Sequence, residues 1–213
     1  AEQPIAVYAM TRFQYTSDGF MGVPINGLGQ DYVIGSWPQY TASGSAFKLP
    51  AVSNIVAAYD STEVTFVMGG TPGSKTTGGL TAGQIKKWTL NAGDVICLAN
   101  DDDGQDIAGS RVTSTKPVGV ISGNQCANVP AGVPWCDFIA DMELPTVTWG
   151  KEYHVTALVD RLLNPVIRVF AHPDYKDVKV YRDGIEWFTL ENKNRTENQA
   201  FVERRLQDGP PKS

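Results

Sequence analysis

The sequence has few charges, few histidines and cysteines, and no long apolar segment. Charged residues make up 19% of its 213 residues, below the usual ~25% of soluble domains. No apolar run approaches the ~20 residues that a membrane-spanning helix needs, so we expect no transmembrane helix. The net charge of −5 argues against the basic surface that binds nucleic acid.

What the sequence has instead is a composition typical of β-structure. Valine, threonine and isoleucine together contribute 49 residues, whereas leucine contributes 11. Glycine and proline contribute a further 34. β-Branched residues and turn formers favour strands and turns over helices. We therefore predict an all-β fold of antiparallel strands, in a chain long enough for one large domain or two small ones.

Short apolar runs separated by turn residues predict four hairpins. Their predicted turns are 60–62, 91–94, 115–117 and 182–184. The last contains Asp183-Gly184, a pair that favours the tight turn of a two-stranded hairpin. Residues 69–84 are rich in glycine and threonine, and we predict that they form a solvated insertion.

The order of motifs indicates an internal repeat. Asp31-Tyr32-Val33-Ile34 is echoed by Glu152-Tyr153-His154-Val155, and segment 56–66 is echoed by 168–180. We predict two repeat-related antiparallel β-sandwich-like units packed together. The predicted division is a first unit at 1–145, a shorter second unit at 146–208, and a tail or linker at 209–213.

The chain has three cysteines, Cys97, Cys126 and Cys136. The last two enclose nine residues with two prolines and a glycine, which predicts a loop that a disulfide between them would close. Free thiols are an alternative, and a metal site is a weaker one, because no Cys-x-x-Cys pair is present. Cys97 lies in an apolar run, so we expect a small buried hydrophobic residue.

Residues 100–106 concentrate carboxylates in one predicted turn. Ca²⁺ prefers several oxygen ligands on a tight loop, so Asp101, Asp103 and Asp106 are candidate calcium ligands. Their spacing does not fit an EF-hand loop, and aspartates are also ordinary turn formers. The alternative is an acidic loop without a metal, and we expect no other cofactor.

The sequence offers little for catalysis. Its two histidines are His154 and His172, and a serine nucleophile needs such a base beside it. His154 lies in a predicted strand and His172 in a predicted turn, so we expect both to be structural or solvated. Residues 119–123 lack the glycine-serine-glycine spacing of a nucleophile elbow. We do not expect an enzyme.

The loop between Cys126 and Cys136 is the best place in the sequence for a ligand contact. Trp135 lies inside it, and an aromatic ring on a loop can stack on a sugar or anchor a protein partner. Asn128 of the same loop is a second candidate contact. We expect most of the other tryptophans to be core or loop anchors.

Several segments follow one another in an order that resembles one known family. The most specific is Ser-x-Lys-Pro-Val-x-Val-x-Ser-Gly-Asn at 114–124, followed by Cys126 and then Cys136-Asp137. Weaker ones are 28–32, 57–65, 90–94, 106–113, 144–145 and 149–153. Over roughly residues 20–190, the chain resembles the N-terminal domain of the IgG Fc-binding protein family.

The resemblance implies an extracellular or cell-surface protein that is β-rich and not catalytic. The family pattern places a histidine shortly after the second cysteine, where this chain has Phe138, so no role of that histidine is carried over. No residue of this chain carries Fc binding, so the activity in the family's name is not transferred.

These observations lead to two hypotheses about function. The first is a non-catalytic binding or adhesion module whose partner is a protein or glycan on a cell surface or in the matrix. The alternative is a structural subunit that self-assembles outside the cell by pairing between strand edges. Neither hypothesis needs a nucleic acid or a membrane-spanning segment.

Overall fold

The computed structural model describes residues 1, 3–12, 16–38, 49–101, 105–130, 136–156, 165–191 and 201–206. The strands in these residues are β1 (Val7–Arg12), β2 (Ser17–Gly22), β3 (Gly29–Val33), β4 (Ala51–Ala57), β5 (Thr62–Val67), β6 (Ile85–Leu90), β7 (Val95–Ala99), β8 (Arg111–Ala127), β9 (Asp137–Met142), β10 (Val166–Phe170), β11 (Asp177–Arg182), β12 (Ile185–Glu191) and β13 (Phe201–Arg205). Short 3₁₀ turns cover Ile25–Gly27 and Thr146–Thr148.

The long strand β8 organises a seven-stranded antiparallel sheet. Its residues 111–114 pair with β3 and β5, and its residues 118–124 pair with β4 and β9. β6 extends the sheet beyond β5, and β7 extends it beyond β4. β8 therefore belongs to two halves: the first half contains β3, β5 and β6, and the second contains β4, β7 and β9.

The two halves meet where β8 is irregular. The register between β3 and β8 shifts around residues 114–117 of β8. Pro117 lies in this stretch, where a residue without a backbone N–H costs the sheet no hydrogen bond. The hairpin turn predicted at 115–117 is therefore wrong, because residues 111–127 form one continuous strand.

Alternate residues of both halves enter one hydrophobic core. Every second residue of β4 and of β5 is buried, which is the alternation expected of strands with one covered face. The core cluster comprises Tyr32, Ile34, Ile55, Ala57, Val64, Phe66, Met68, Leu90, Ile96, Leu98, Ile107, Val112, Val118 and Val120. Because one cluster takes side chains from both halves, the halves face each other as a sandwich.

Two more of the predicted hairpins are wrong. β4 and β5 are consecutive but pair with different parts of β8, and β6 and β7 lie at opposite ends of the sheet. The turns predicted at 60–62 and 91–94 therefore cross between the halves of the sandwich. The hairpin at Asp183-Gly184 is confirmed: β11 and β12 pair across it, and its two residues have φ values of 51° and 82°.

Three two-stranded pairs lie outside the seven-stranded sheet: β1 with β2, β10 with β13, and β11 with β12. The predicted all-β fold, with several antiparallel sheets packed together, is confirmed. The division into two repeat-related units stays a prediction. In the part of the chain that the structure describes, no helix has the length and apolarity needed to cross a membrane.

The insertion at 69–84 is only partly the solvated loop that its composition predicts. Residues 77–79 are exposed, but Ser74 and Thr76 are buried. The base of the insertion packs closely on the core, because a Cβ atom added to Gly69 would lie 2.7 Å from the backbone of Gly109. Glycine at this position lets the two backbone segments approach each other.

The disulfide between Cys126 and Cys136 is present, which confirms the predicted pairing. The expectation that Cys97 is buried is wrong, because its thiol is free and exposed. Ile96 and Leu98 enter the core, so strand alternation directs the side chain between them to the outer face of β7.

Glu143 joins the end of β9 to the segment that follows β3. Its carboxylate accepts a hydrogen bond from the Gly35 N–H at 2.6 Å. Burial raises the pKa of Glu143 to about 7, and the charge of Asp141 adds to the rise, while hydrogen bonds from Gly35 and Ser122 oppose it. The folded protein therefore binds this proton more tightly than the unfolded chain does, where the pKa is near 4.5.

We predict that Glu143→Gln flattens the pH dependence of stability. The protonated carboxyl of Glu143 adds to the free energy of unfolding below pH 4.5. This contribution is lost as the pH rises through about 7, and the loss is up to about 3 kcal/mol. Urea unfolding across this range should show the loss in the wild type and not in the variant. The prediction would be contradicted if the free energy of unfolding changed with pH in the same way in the wild type and in the variant.

We also predict that one thiol reacts in the native protein. Iodoacetamide without denaturant should add one carbamidomethyl group to the wild type, as measured by intact mass. It should add none to the Cys97→Ser variant. Labelling of the native wild type at three sites would disprove the disulfide, and labelling only after denaturation would disprove the exposure of Cys97.

Candidate functional site

The acidic loop does not present its described carboxylates as free metal ligands. Asp106 is fully buried, with Arg168 3.0 Å from its carboxylate and the Ala108 N–H donating to it at 2.8 Å. Asp101 lies 3.4 Å from the ammonium group of Lys75. Asp103 lies outside the described residues. Among those that are described, no three acidic, histidine or cysteine side chains form a metal-binding group, and calcium binding stays a prediction.

Arg168 is the centre of a buried cluster that joins the C-terminal strands to the sandwich. This side chain of β10 is 6% exposed. Its Nε donates to Glu203 of β13 at 2.9 Å, and its Nη1 donates to the Ser36 carbonyl at 2.5 Å as well as to Asp106. Three acceptors from three separate segments therefore share one guanidinium, and we call this arrangement the Arg168 clasp.

Two aromatic rings complete the clasp. The guanidinium carbon of Arg168 lies 4.0 Å from the ring centroid of Trp37 and 4.3 Å from that of Phe201. A guanidinium is planar and stacks on rings while its edge donates hydrogen bonds, and such contacts are worth about 2 kcal/mol when they are shielded from water.

The electrostatics of the clasp depend on all of its members. Burial raises the pKa of Asp106 above its usual value and the charge of Glu203 adds to the rise, while the charge of Arg168 and the hydrogen bonds from Ala108 and Arg168 oppose it. Removing one charge would leave the other buried without its partner, which costs more than the pair contributes. The clasp therefore fixes β10 and β13 against the loop that carries Asp106.

Because β10 is fixed, the loop after it lies beside the surface of the sandwich. Arg111, the first residue of β8, forms two hydrogen bonds with Asp31 of β3, at 2.8 and 2.9 Å. The same guanidinium lies 3.5 Å from Asp174 of the loop. A surface ion pair of this kind contributes little stability by itself, but it shows that the loop lies next to the start of β8.

Aromatic side chains meet at the same place. The ring of His172 lies edge-on to Trp149, at 6.2 Å between centroids, and to Tyr175, at 5.5 Å. Trp149 follows the 3₁₀ turn after β9, and its indole N–H donates to the Leu144 carbonyl at 3.2 Å. We call Arg111, Trp149, His172, Asp174 and Tyr175 the aromatic patch.

The aromatic patch is suited to recognition. Tyr175 is 64% exposed, while Trp149 and His172 are half-buried and held by their neighbours. Tryptophan, tyrosine and arginine are the residue types that dominate the energetic centres of protein interfaces. Partly ordered aromatic rings also lose less entropy on binding than flexible side chains do.

The sequence-based candidates lie elsewhere. Asn128 is half-buried in the loop after β8, and Trp135 lies outside the described residues. The strand predicted around His154 is absent, and this residue is exposed in the segment after the 3₁₀ turn. His172 lies in a turn, as predicted, but its contacts with two aromatic rings were not foreseen.

Sequence reasoning missed Arg168 and the patch for different reasons. Arg168 carried a usable signal, because a single charged residue inside the apolar run 166–170 requires a buried partner. The patch carried no such signal, since Trp149 becomes a neighbour of His172 and Tyr175 only through the packing of segments that are separated in sequence.

Comparison with known proteins places these observations in a family. The family described as "IgGFc binding protein" matches residues 18–205, a range that contains both the clasp and the patch. The human "IgGFc-binding protein" is 29% identical over 163 residues, which are 76% of this chain and 3% of the human protein. The chain thus spans a small part of that relative's length. No solved structure matches.

We predict that Arg168→Ala destabilises the fold by about 3–5 kcal/mol, because it leaves Asp106 buried without its charge partner. Arg168→Lys should recover only part of this loss, since an ammonium group cannot stack between two rings and bind three acceptors together. The measurement is the free energy of unfolding in urea.

The matched control for this prediction is Arg182→Ala, at an arginine of β11 whose side chain is 30% exposed. Its loss should be below about 1 kcal/mol. Equal losses at the two positions would contradict the role given to the clasp.

Proposed function

The chain belongs to the IgGFc-binding protein family, and on this premise we propose that it acts outside the cell as a non-catalytic module that binds a protein partner through the aromatic patch. The family match over residues 18–205 is the observation that carries the proposal. The disulfide between Cys126 and Cys136 supports an oxidising, extracellular environment.

The chemistry of the patch favours a protein over a small molecule. The patch combines aromatic rings with one arginine and an acidic side chain, and it lies on a surface rather than in a deep cavity. Protein interfaces place such anchors at their centre and surround them with polar groups. Arg111 is already paired with Asp31 and Asp174, so it supplies a fixed donor array rather than an unpaired charge.

The contacts of His172 are consistent with this function. The family is named for binding. His172 contacts Trp149 and Tyr175, and these contacts give it a role in holding the patch. The human relative is named for IgG Fc, which makes Fc a suitable first probe without making it the partner of this chain.

We predict that binding to a protein depends on the aromatic patch. The chain would be screened against IgG Fc, an array of extracellular proteins and an array of glycans. For a protein ligand, Tyr175→Ala should raise the dissociation constant about tenfold or more. Trp149→Ala should do the same, because its ring supports His172.

Tyr181→Ala is the matched control. Tyr181 lies on the β11–β12 hairpin and is 57% exposed, close to the 64% of Tyr175, but it is not part of the patch. Its replacement should change affinity less than about twofold. The proposal is overturned if only glycans bind, or if protein binding is unchanged by both patch variants.

A further inference from the structure

Among the described strands, the hairpin formed by β1 and β2 has one strand edge with no partner. β2 lies along β9, where the Ala140 N–H donates to Asp18 at 2.9 Å. β1 pairs with β2 through six consecutive residue pairs with no bulge, and in the part of the chain that the structure describes no strand pairs with its other side. Half of the backbone groups of an antiparallel strand point toward each neighbour, so this edge presents a row of donors and acceptors.

β1 is also exposed on both faces. Tyr8 and Met10 are 71% and 75% exposed, and Met21, opposite Tyr8, is exposed as well. The Met10 side chain extends across Gly19, since a Cβ on that glycine would collide with its sulfur atom. Tyr8, Met10 and Met21 therefore form one continuous apolar strip on this hairpin.

Natural proteins usually protect such an edge with a lysine, a proline or a bulge. β6, another outer strand, has Lys86 and Lys87. β1 has no charge before Arg12 and no proline, and its pairing is regular. The family match begins at residue 18, after β1, so this edge lies outside the part of the chain that the family shares.

We propose that β1 pairs antiparallel with β1 of a second copy of this chain, so that two hairpins form a four-stranded sheet across a two-fold axis. This inference does not depend on the function proposed for the aromatic patch. It identifies β1 as the strand edge through which the chain would self-assemble, which is the alternative function that the sequence predicts.

Charge and side-chain size indicate a second copy as the occupant. In the register centred on Ala9, each Ala9 faces the other, Tyr8 faces Met10, and Val7 faces Thr11. Arg12 then faces Ala6, so no like charges lie opposite each other. Each Tyr8 ring meets a methionine sulfur, which is a favourable contact, and the two apolar strips join on one face of the new sheet.

Sedimentation velocity of the full chain over a range of micromolar concentrations tests the pairing. We expect a concentration-dependent dimer. Met10→Lys should weaken dimerisation about tenfold or more, because it removes a methionine from each apolar strip and places two ammonium groups diagonally across the two-fold axis, where like charges repel. Ile85→Lys is the control, since it makes the same type of change on the lysine-protected edge strand β6, and it should leave the dimer unchanged.

Cysteine cross-linking tests the register. In a Cys97→Ser background, Ala9→Cys should give a disulfide-linked dimer on mild oxidation, and Ile85→Cys should not. A monomer at all concentrations, a dimer that Met10→Lys does not weaken, or equal cross-linking at both positions would overturn the proposal. Far-ultraviolet circular dichroism of each variant would establish that its fold is intact.

Discussion

The guanidinium of Arg168 is the contact on which the position of the candidate binding surface depends. It donates hydrogen bonds to Glu203 of its own strand pair, to Asp106 of the acidic loop and to the Ser36 carbonyl. It also lies against the rings of Trp37 and Phe201. A buried ion pair is seldom a large source of stability. It does require a specific arrangement of its partners, because a displaced partner leaves the other charge buried and unpaired. The clasp thus specifies where β10 and β13 lie on the sandwich.

β8 provides the other fixed reference. Its irregular middle allows one strand to serve both halves of the sandwich, and its first residue, Arg111, contacts Asp174 of the loop that follows β10. The loop is consequently held at two points, inside by Arg168 and at the surface by Arg111. Trp149 approaches from the 3₁₀ turn after β9 and completes the aromatic patch. These contacts bring Trp149, His172 and Tyr175 together on one surface.

The properties that the sequence could predict are those set by local chemistry. The all-β fold, the disulfide between Cys126 and Cys136, and the Asp183-Gly184 hairpin turn are each predicted from composition or from neighbouring residues, and the structure confirms them. The turns at 60–62 and 91–94 were correctly placed but wrongly paired, because a turn sequence does not encode whether the next strand returns beside the last one or crosses the core. The turn predicted at Pro117 is wrong for a related reason, since proline interrupts the hydrogen bonding between strands without necessarily reversing the direction of the chain.

The candidate site was largely beyond local reasoning. Asp106 reads as a metal ligand among its acidic neighbours, whereas its partner is an arginine that lies 62 residues later. Cys97 was assigned to the wrong face because an apolar run does not by itself say which alternate positions face inward. The family resemblance, carried by the stretch at 114–124 and the cysteines, gave the class of protein but no binding residue.

Native-state hydrogen exchange most directly tests the central claim, that the clasp makes the C-terminal strands part of one cooperative structure with the sandwich. The account predicts that backbone amides paired between β10 and β13 open with nearly the same free energy as those of β8 at 118–124. Exchange at β10 and β13 that is orders of magnitude faster than at β8 would contradict it. The clasp would then be a surface contact, and the aromatic patch would not be a fixed surface.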